Sequence, residues 1–241
     1  MTQTLNTLGQ PIGFALPDWT PPPVPPRQSM TGRFCHLEPL DADKHAADLY
    51  TVIASDVTGK SWTYLPYGPF ENLEGYQAWM KEVTAGNDPM LFAIIDNTDG
   101  KPYGITGFLR IDPKNGCIET GHIYFSERLK KSPIATEAMY LMMQRAFELG
   151  YRRYEWKCDS FHTASRQAAQ RLGFSFEGIF RQAIVYKGRS RDTAWYAAID
   201  FEWPLLQNAF LTWLAPENFD EHGQQRKRLS KLTAPILNRR G

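Results

Sequence analysis

At 241 residues with 42% apolar side chains, the chain is within reach of one domain with a substantial hydrophobic core. Its formal net charge of +1 gives no electrostatic reason to expect nucleic acid or a membrane as a partner, and no apolar run approaches bilayer-spanning length. Three cysteines, far apart and odd in number, fit neither a disulfide framework nor a zinc site, so we expect a cytoplasmic protein that binds no metal.

Three zones follow one another along the chain. Residues 1–30 are rich in turn formers, and DWTPPPVPPRQ at 18–28 must be largely extended, so we predict a Pro-rich arm that either packs on the domain or stays mobile. Residues 31–203 alternate strand and helix patterns and are the main domain, of α/β or α+β class. Residues 204–241 are predicted to be a C-terminal helical extension, whose second helix carries a solvated basic cluster: Arg226, Lys227, Arg228 and Lys231.

Successive antiparallel strands are predicted in the first half of the domain. After a strand and a helix within 32–50, three strand patterns follow at 90–97, 103–112 and 117–126. The turns that join these three strands are indicated by two dipeptides, Asp99-Gly100 and Asn115-Gly116.

A helix is predicted from residue 133 to Gly150. Ser132 is a good N-cap, and Pro133 suits the first helical position because its missing N–H would have no partner there. Free backbone N–H groups and the positive end of the helix dipole converge on the preceding loop, beside Lys130 and Lys131. Alone, the segment indicates either an anion site suited to a phosphate or pyrophosphate, or an ordinary capped helix after a solvated basic turn.

A strand at 154–159 and the segment FHTASRQAAQRLGFSFEGIFRQ at 161–182 extend this pattern. The pairing of a TEA helix with S…RLGF…EG…R one strand later resembles the GNAT acyl-CoA N-acyltransferase superfamily, and within it the branch that contains the ribosomal-protein N-terminal acetyltransferases. GRFCHLEPLDADKHAADLY (32–50) and VYKGRSRDTAWYAAIDFEW (185–203) are similar to that branch's first strand and helix and to its closing hairpin. The resemblance covers residues 30–203 and implies the GNAT fold, a mixed central sheet with helices on both faces.

The resemblance also implies an enzyme, an N-acetyltransferase with acetyl-CoA as co-substrate and an amine acceptor, either a small molecule or a protein N-terminus. Direct attack in a ternary complex is expected, because no cysteine lies beside a plausible base that would let it carry an acyl group. We expect a monomer or homodimer. Two alternatives stay open: a non-catalytic acyl-CoA-binding or interaction module on this fold, and a transferase for a larger acyl group such as succinyl.

The family's phosphate loop has the form Gln/Arg-x-x-Gly-x-Gly/Ala, and alignment on TEA puts Lys130 first, Pro133 at the first glycine and Ala135 last. Lysine keeps a cation but loses bidentate geometry, and proline removes one N–H donor and fixes φ at about −65°. We still expect CoA to bind. The residues predicted to bind it are Lys130, Lys131, Ser132, Ile134, Ala135 and Thr136 around the loop, and Ile123, Tyr124, Phe125, His162 and Ser165 elsewhere.

Glu119, 14 positions before Pro133, is the predicted general base, because the catalytic glutamate of the histone-acetyltransferase branch is similar in its offset from the loop glycine. An amine with a pKa of about 10 is protonated at neutral pH, and burial on a central strand raises a carboxyl pKa, as suits a base. The alternative is a structural glutamate paired with an arginine or lysine. His122 is the next candidate, but alternation along the strand puts it on the opposite face.

Ser165 is the predicted general acid for the leaving thiolate. Many superfamily members have a tyrosine where this chain has Ala169, whereas the ribosomal-protein branch resembles this chain in a serine of an Asn-x-x-Ser motif, with His162 in place of the asparagine. The alternative for Ser165 is an ordinary polar residue in the first turn of a helix. A glutamate implicated in that branch is replaced here by Ile184.

Acceptor recognition is assigned to the aromatic-rich loop at 62–79. Its alternative is a satellite hydrophobic cluster beneath the loop. The four candidate substrate-binding residues are Trp62, Tyr64, Tyr67 and Phe70.

Overall fold

The computed structural model describes residues 4–241, so the first three residues of the predicted arm lie outside the described residues. Its strands are β1 (Thr4–Leu5), β2 (Pro11–Ile12), β3 (Met30–Thr31), β4 (Cys35–Pro39), β5 (Met90–Asp96), β6 (Lys101–Asp112), β7 (Cys117–Phe125), β8 (Arg153–Asp159), β9 (Ser175–Tyr186) and β10 (Arg189–Ile199). β1 and β2 form a small hairpin, and the others form one sheet in the order β3-β4-β5-β6-β7-β8-β10-β9. Neighbouring strands of that sheet are antiparallel except β7 and β8, which are parallel, so the predicted mixed sheet is confirmed.

Helices cover both faces of this sheet, as predicted. They are α1 (Ala42–Ala54), α2 (Leu73–Thr84), α3 (Pro133–Glu148), α4 (Thr163–Arg171), α5 (Trp203–Leu214) and α6 (Leu229–Thr233). α1 and α2 share one buried apolar cluster with Leu91 and Ile105 of the sheet. α3, α4 and α5 share a second and larger cluster with Phe108 and Tyr154. Among the helices of residues 4–241, none combines the length and apolar composition needed to cross a bilayer.

The predicted strands at 90–97, 103–112 and 117–126 correspond to β5, β6 and β7. Gly100 and Gly116 lie in the turns between them with φ of 70° and 63°, in the left-handed region that favours glycine. The hairpin predicted at 185–203 is also present, but it starts earlier in the chain, because β9 begins at Ser175.

α3 begins and ends where the sequence predicts. The Ala135 N–H donates to Ser132 Oγ at 3.3 Å, and Pro133 is the first helical residue. Gly150 follows the helix with φ of 94°. Most of the helix is buried, since it packs on the sheet and is also in contact with α5.

The glutamate of the TEA sequence ties α3 to the turn between β3 and β4. The carboxylate of Glu137 accepts backbone N–H groups from Arg33 at 2.9 Å, Phe34 at 2.6 Å and Cys35 at 2.9 Å. Glu137 is only 4% exposed. Gly32 faces the same carboxylate so closely that a Cβ there would lie 2.4 Å from Glu137 Cδ. This contact joins residues that are about a hundred positions apart in the chain.

The proline-rich part of the N-terminal arm packs on the domain. Trp19 covers Gly116, where a Cβ would lie 2.4 Å from the indole, and Arg152 lies over the same indole, 5.7 Å from a ring centroid. The Tyr151 hydroxyl donates to the Pro23 carbonyl at 3.2 Å. Of the two predicted alternatives for residues 18–28, the packed one is therefore observed.

The C-terminal extension is helical only in part. Phe210 and Trp213 of α5 are buried in the larger apolar cluster, so this helix shares the core of the main domain. α6 spans only Leu229–Thr233, and of the predicted basic cluster it carries Lys231 alone. The prediction of a helix under the whole cluster was wrong, because Asn218 accepts the N–H groups of Arg226 and Lys227 and holds them outside the helix. Domain boundaries at 30 and 203 stay a prediction.

Candidate active site

An opening in the sheet lies between β7 and β8. Parallel pairing of the two strands runs from Cys117 opposite Arg153 to Thr120 opposite Trp156, and no further pair forms within residues 4–241. α3 and α4 follow these strands, so both helices present their N-termini at the carboxyl ends of the parallel pair. Ligands of α/β proteins bind at such edges, because free N–H groups and helix dipoles converge there. This opening is the candidate site.

The loop before α3 forms one rim of the opening. The Leu129 and Lys130 N–H groups donate to the Ser126 carbonyl at 3.0 Å, and the Ser132 N–H donates to the Leu129 carbonyl at 3.1 Å. Lys131 has φ of 61°. Among the backbone amides of the predicted CoA-binding residues 131–136, those of Ser132 and Ala135 already have protein partners. Two donate to no protein atom within residues 4–241: those of Lys131 and Ile134. Thr136 is the fourth residue of α3 and is buried, so its amide belongs to the helix ladder.

The cations near this loop differ in their availability. Lys131 is exposed, and Lys130 is exposed but pairs with Glu127 at 2.6 Å, a weak contact that a ligand can replace. Arg128 is committed, because its Nε and NH2 groups donate to Asp96 Oδ2 at 3.0 and 2.6 Å. Arg128 therefore belongs to the scaffold.

Glu119 is buried between two cations on the opposite sheet face from α3. Its Oε1 lies 2.7 Å from Arg110 NH1, and its Oε2 lies 2.9 Å from Lys157 Nζ. Burial raises the pKa of the Glu119 carboxyl above its ordinary value, and the Lys157 and Arg110 cations oppose that rise without cancelling it. Both features foreseen for this residue are present: the raised pKa that suits a base, and the ion pairs that suit a structural role.

Lys157 is the site residue that the sequence interpretation missed. Its ammonium lies between Glu119 and Glu155, at 2.9 and 2.7 Å, and 3.9 Å from the ring centroid of Trp195. Alternation along β8 places Glu155 and Lys157 on one face, so the strand pattern could have predicted that these two residues form an ion pair. A lysine held this way fixes the direction of both carboxylates.

His122 lies on the same side of the sheet as the aromatic loop. Its Nδ1 is 3.1 Å from the Tyr67 hydroxyl, and the two rings stack at 5.5 Å with an interplanar angle of 10°. Arg110, which binds Glu119, is also close enough to His122 to lower its pKa. The argument from alternation, which put His122 and Glu119 on opposite faces, was wrong, because a β-bulge interrupts β7 between Gly121 and Tyr124.

The start of α4 forms the other rim. Trp156 Nε1 donates to Ser165 Oγ at 3.0 Å, which leaves the Ser165 hydroxyl proton free for another acceptor. Cys158 is buried beside the same hydroxyl, and burial raises the pKa of its thiol, so it is not a ready thiolate. His162 is the N-cap of α4 and stacks on Tyr64 at 4.2 Å. The structure therefore brings Ser165 and His162 to the same rim.

The four aromatic candidates divide into two pairs. Trp62 is 2% exposed and stacks on Tyr124 at 4.9 Å, and Phe70 packs against the same indole, so these two belong to the hydrophobic cluster beneath the loop. Tyr64 and Tyr67 stack on site histidines, and Tyr67 also packs against the same hydrophobic cluster.

The turn between β9 and β10 holds the aromatic loop in place. Lys187 Nζ donates to the Trp62 carbonyl at 2.8 Å, and Arg189 NH2 donates to the Thr63 carbonyl at 3.0 Å. These two cations therefore bind the aromatic loop. Within the described residues, no group of three or more His, Cys, Asp or Glu side chains is placed to hold a metal ion.

Comparison with known proteins identifies the relatives of this chain. The family model described as the acetyltransferase (GNAT) domain matches residues 35–175. A GCN5-related N-acetyltransferase from Brucella melitensis is 46% identical, with a TM-score of 0.89 over 91% of this chain and 100% of that chain. A probable GNAT-family acetyltransferase from Chromobacterium violaceum ATCC 12472 is 40% identical, with a TM-score of 0.76 over 81% of this chain and 98% of that chain. Among curated proteins, none matches significantly.

The ribosomal-protein branch is more distant. A ribosomal L7/L12 alpha-N-protein acetyltransferase is 21% identical to this chain, with a TM-score of 0.62 over 71% of this chain and 94% of that chain. At that identity the match shows a shared fold and nothing finer.

Proposed function

The chain belongs to the GNAT acetyltransferase family, and from that premise we propose that it transfers the acetyl group of acetyl-CoA to a primary amine, on a small molecule or a protein N-terminus, by direct attack in a ternary complex. The observation that carries the proposal is the opening between β7 and β8, with the α3 N-terminus on one rim and Ser165 on the other. Groups at the two rims can hold the thioester and the amine next to each other. Holding two reactants in this way lowers the barrier, because their reaction no longer depends on a chance encounter.

Acetyl-CoA is proposed to lie in this opening. The pyrophosphate is assigned to the free amides of Lys131 and Ile134, with the Lys130 and Lys131 ammonium groups beside it. The rest of the cofactor-binding set keeps its sequence-based assignment. It comprises Ser132, Ala135 and Thr136 at the loop and first turn of α3, Ile123, Tyr124 and Phe125 on the half of β7 that does not pair with β8, and His162 and Ser165 at α4. Tyr64 and Tyr67 are the aromatic residues that we keep as acceptor contacts, because their rings stack on His162 and His122.

Proton movements are assigned to two side chains. Glu119, directly or through a water molecule, takes a proton from the acceptor nitrogen as that nitrogen bonds to the thioester carbonyl carbon. The C–S bond then breaks, and the Ser165 hydroxyl gives a proton to the leaving thiolate. Cys158 is not an acyl carrier in this proposal, because burial raises its pKa and disfavours the thiolate nucleophile.

Ser165→Ala is expected to lower the rate of thiol release about 10-fold, because the leaving thiolate loses its proton donor, although a thiolate is a tolerable leaving group without one. Steady-state thiol release at saturating acetyl-CoA measures this effect. Thr163→Ala, at an exposed position in the same helical turn, is the matched control and should stay within about two-fold of the wild type. Equal rates for the Ser165→Ala variant and the wild type would remove the acid assignment.

The proposal as a whole is tested by binding and turnover. Acetyl-CoA and succinyl-CoA are titrated into the protein by calorimetry, and thiol release is then followed with a panel of small amines and peptides. Binding and turnover of acetyl-CoA are expected. Binding without turnover on any amine would make the protein a non-catalytic acyl-CoA-binding module, and a clear preference for succinyl-CoA would make it a transferase of a larger acyl group. Failure to bind either thioester would reject the proposal.

A further inference from the structure

Two compensating β-bulges lie side by side in the site. Between β6 and β7, the pairs Ile105–Tyr124 and Gly107–Gly121 leave one extra residue on β7. Further along, the pairs Leu109–Glu119 and Asp112–Cys117 leave one extra residue on β6. The short segment between the bulges carries Glu119. Bulges of this kind redirect side chains and are common next to active sites.

Each bulge contains a non-glycine residue in the left-handed region. Arg110 on β6 has φ of 47°, and His122 on β7 has φ of 52°. Such a conformation is strained for a residue with a side chain, and it persists where the surrounding structure imposes it. At Arg110 the restraint is visible, since the Asp88 carboxylate accepts the N–H groups of Arg110 and Ile111 at 3.1 and 2.9 Å.

At both positions the strained backbone points the side chain toward a residue of the site. Arg110 is aimed at Glu119, as its 2.7 Å ion pair shows. His122 is aimed at the aromatic loop, where the Tyr67 ring supports one face of the imidazole and the Tyr67 hydroxyl contacts Nδ1. A glycine would satisfy the backbone at position 122 with no strain, so the imidazole itself is what the strain preserves.

The imidazole is a neutral group with one nitrogen unused. Burial lowers the pKa of His122 to about 4, with the Arg110 cation acting in the same direction and Asp88 in the opposite one. The charged and titratable groups that face it are therefore Arg110 from β6, Asp88 from the turn before β5 and Tyr67 from the loop. When Nδ1–H donates to the Tyr67 oxygen, Nε2 presents a lone pair, and Nε2 has no protein partner within residues 4–241.

We propose that His122 is a contact residue for the acceptor: its Nε2 accepts a hydrogen bond from the acceptor amine and holds the nitrogen toward the opening between β7 and β8, while Tyr67 fixes the tautomer and orientation of the ring. The inference rests on the proposed function, and it adds a residue to the acceptor side of the same site. His122 stands two residues beyond Thr120, where the pairing of β7 with β8 ends, so it lies at the edge of the opening. Glu119 keeps the role of base, and His122 positions the nitrogen.

The test uses His122→Gly, because glycine adopts the observed φ freely and removes only the imidazole. With the best amine from the panel, we expect kcat/KM for the amine to fall about 10- to 100-fold, as for the loss of a buried hydrogen bond to substrate, and the Kd of acetyl-CoA to stay within about two-fold. His122→Asn, which tolerates left-handed backbone and offers an amide oxygen, should recover part of the loss. Tyr67→Phe keeps the ring and should cost less than His122→Gly.

The matched control is Gln182→Gly on β9. Gln182 has φ of 50°, and its N–H donates to Asp192 Oδ1 at 2.7 Å, so the control changes another left-handed strand residue to glycine away from the opening. It should leave kcat/KM unchanged. Because the imidazole is neutral, the loss in His122→Gly should be the same at pH 6 and pH 9.

Outcomes separate the inference from the proposed function. A wild-type protein that fails to bind acetyl-CoA, or that acetylates no amine, removes the proposed function and the inference with it. A wild-type protein that is active, with a His122→Gly variant within two-fold of it in kcat/KM for the amine, overturns the inference alone. So does a parallel loss of acetyl-CoA affinity in that variant, since it would show that His122 shapes the whole site.

Discussion

Glu119→Gln is expected to lower kcat about 100-fold or more while the Kd of acetyl-CoA stays within about two-fold. Glutamine keeps the shape of the side chain and an oxygen for Arg110 or Lys157, but it cannot take a proton from the amine. General base catalysis by a positioned side chain contributes about 10²- to 10⁴-fold, which sets the size of the loss. Steady-state thiol release with the best amine of the panel gives kcat, and calorimetry gives the Kd.

Glu155→Gln is the control that the chain itself offers. Glu155 shares Lys157 with Glu119, at 2.7 and 2.9 Å, and it pairs with Arg153 at 2.6 Å much as Glu119 pairs with Arg110. A loss that came only from disturbing this ion-pair chain would appear in both variants to a similar extent. Equal losses of kcat, or full turnover by Glu119→Gln, would therefore show that Glu119 is structural.

The pH dependence of kcat distinguishes the two roles a second time. A base must be unprotonated, so kcat should rise with pH through the pKa of Glu119 and then level off. Burial raises that pKa, so the rise should lie above the ordinary carboxyl range. The Glu119→Gln variant should lack this rise and keep only the changes that belong to the amine.

Much of the fold could be predicted because its signals are local. Ser132, Pro133 and Gly150 determine where α3 begins and ends through capping and backbone freedom, and each is legible in the sequence. Gly100 and Gly116 mark the turns of the central strands for the same reason. These local signals are enough to predict the order of helices and strands, and that order agrees with the family resemblance.

The acceptor side of the site could be predicted less well, because the two bulges decide it. An extra residue at His122 reverses the alternation of β7, and the restraint on the Arg110 bulge comes from Asp88, which is 22 positions away. No local sequence pattern indicates either of the two bulges. The pairing of Glu119 with a cation was foreseen as an alternative, but the identity of Lys157 depends on the parallel register of β7 and β8.

Glu137→Ala is expected to lower the free energy of unfolding by about 3–5 kcal/mol. The buried carboxylate accepts three backbone N–H groups, two from the turn before β4 and one from the first residue of β4. Each buried donor left without a partner costs about 1–3 kcal/mol, reduced where water can enter. That loss is a large part of the total free energy of unfolding of a typical domain, which is about 5–15 kcal/mol. Urea unfolding followed by tryptophan fluorescence measures it.

Two further variants decide whether the hydrogen bonds are the cause. Gly32→Ala leaves Glu137 in place but puts a Cβ within 2.4 Å of its carboxyl carbon, so it should displace the carboxylate and destabilise the protein in the same direction. Gln144→Ala removes a polar side chain of α3 that donates to Glu148 at the surface, and it should change stability by less than about 0.5 kcal/mol. If Glu137→Ala were no more destabilising than Gln144→Ala, the carboxylate would not be what ties α3 to β4. The TEA glutamate would then have to be explained by some contact other than the three N–H groups it accepts.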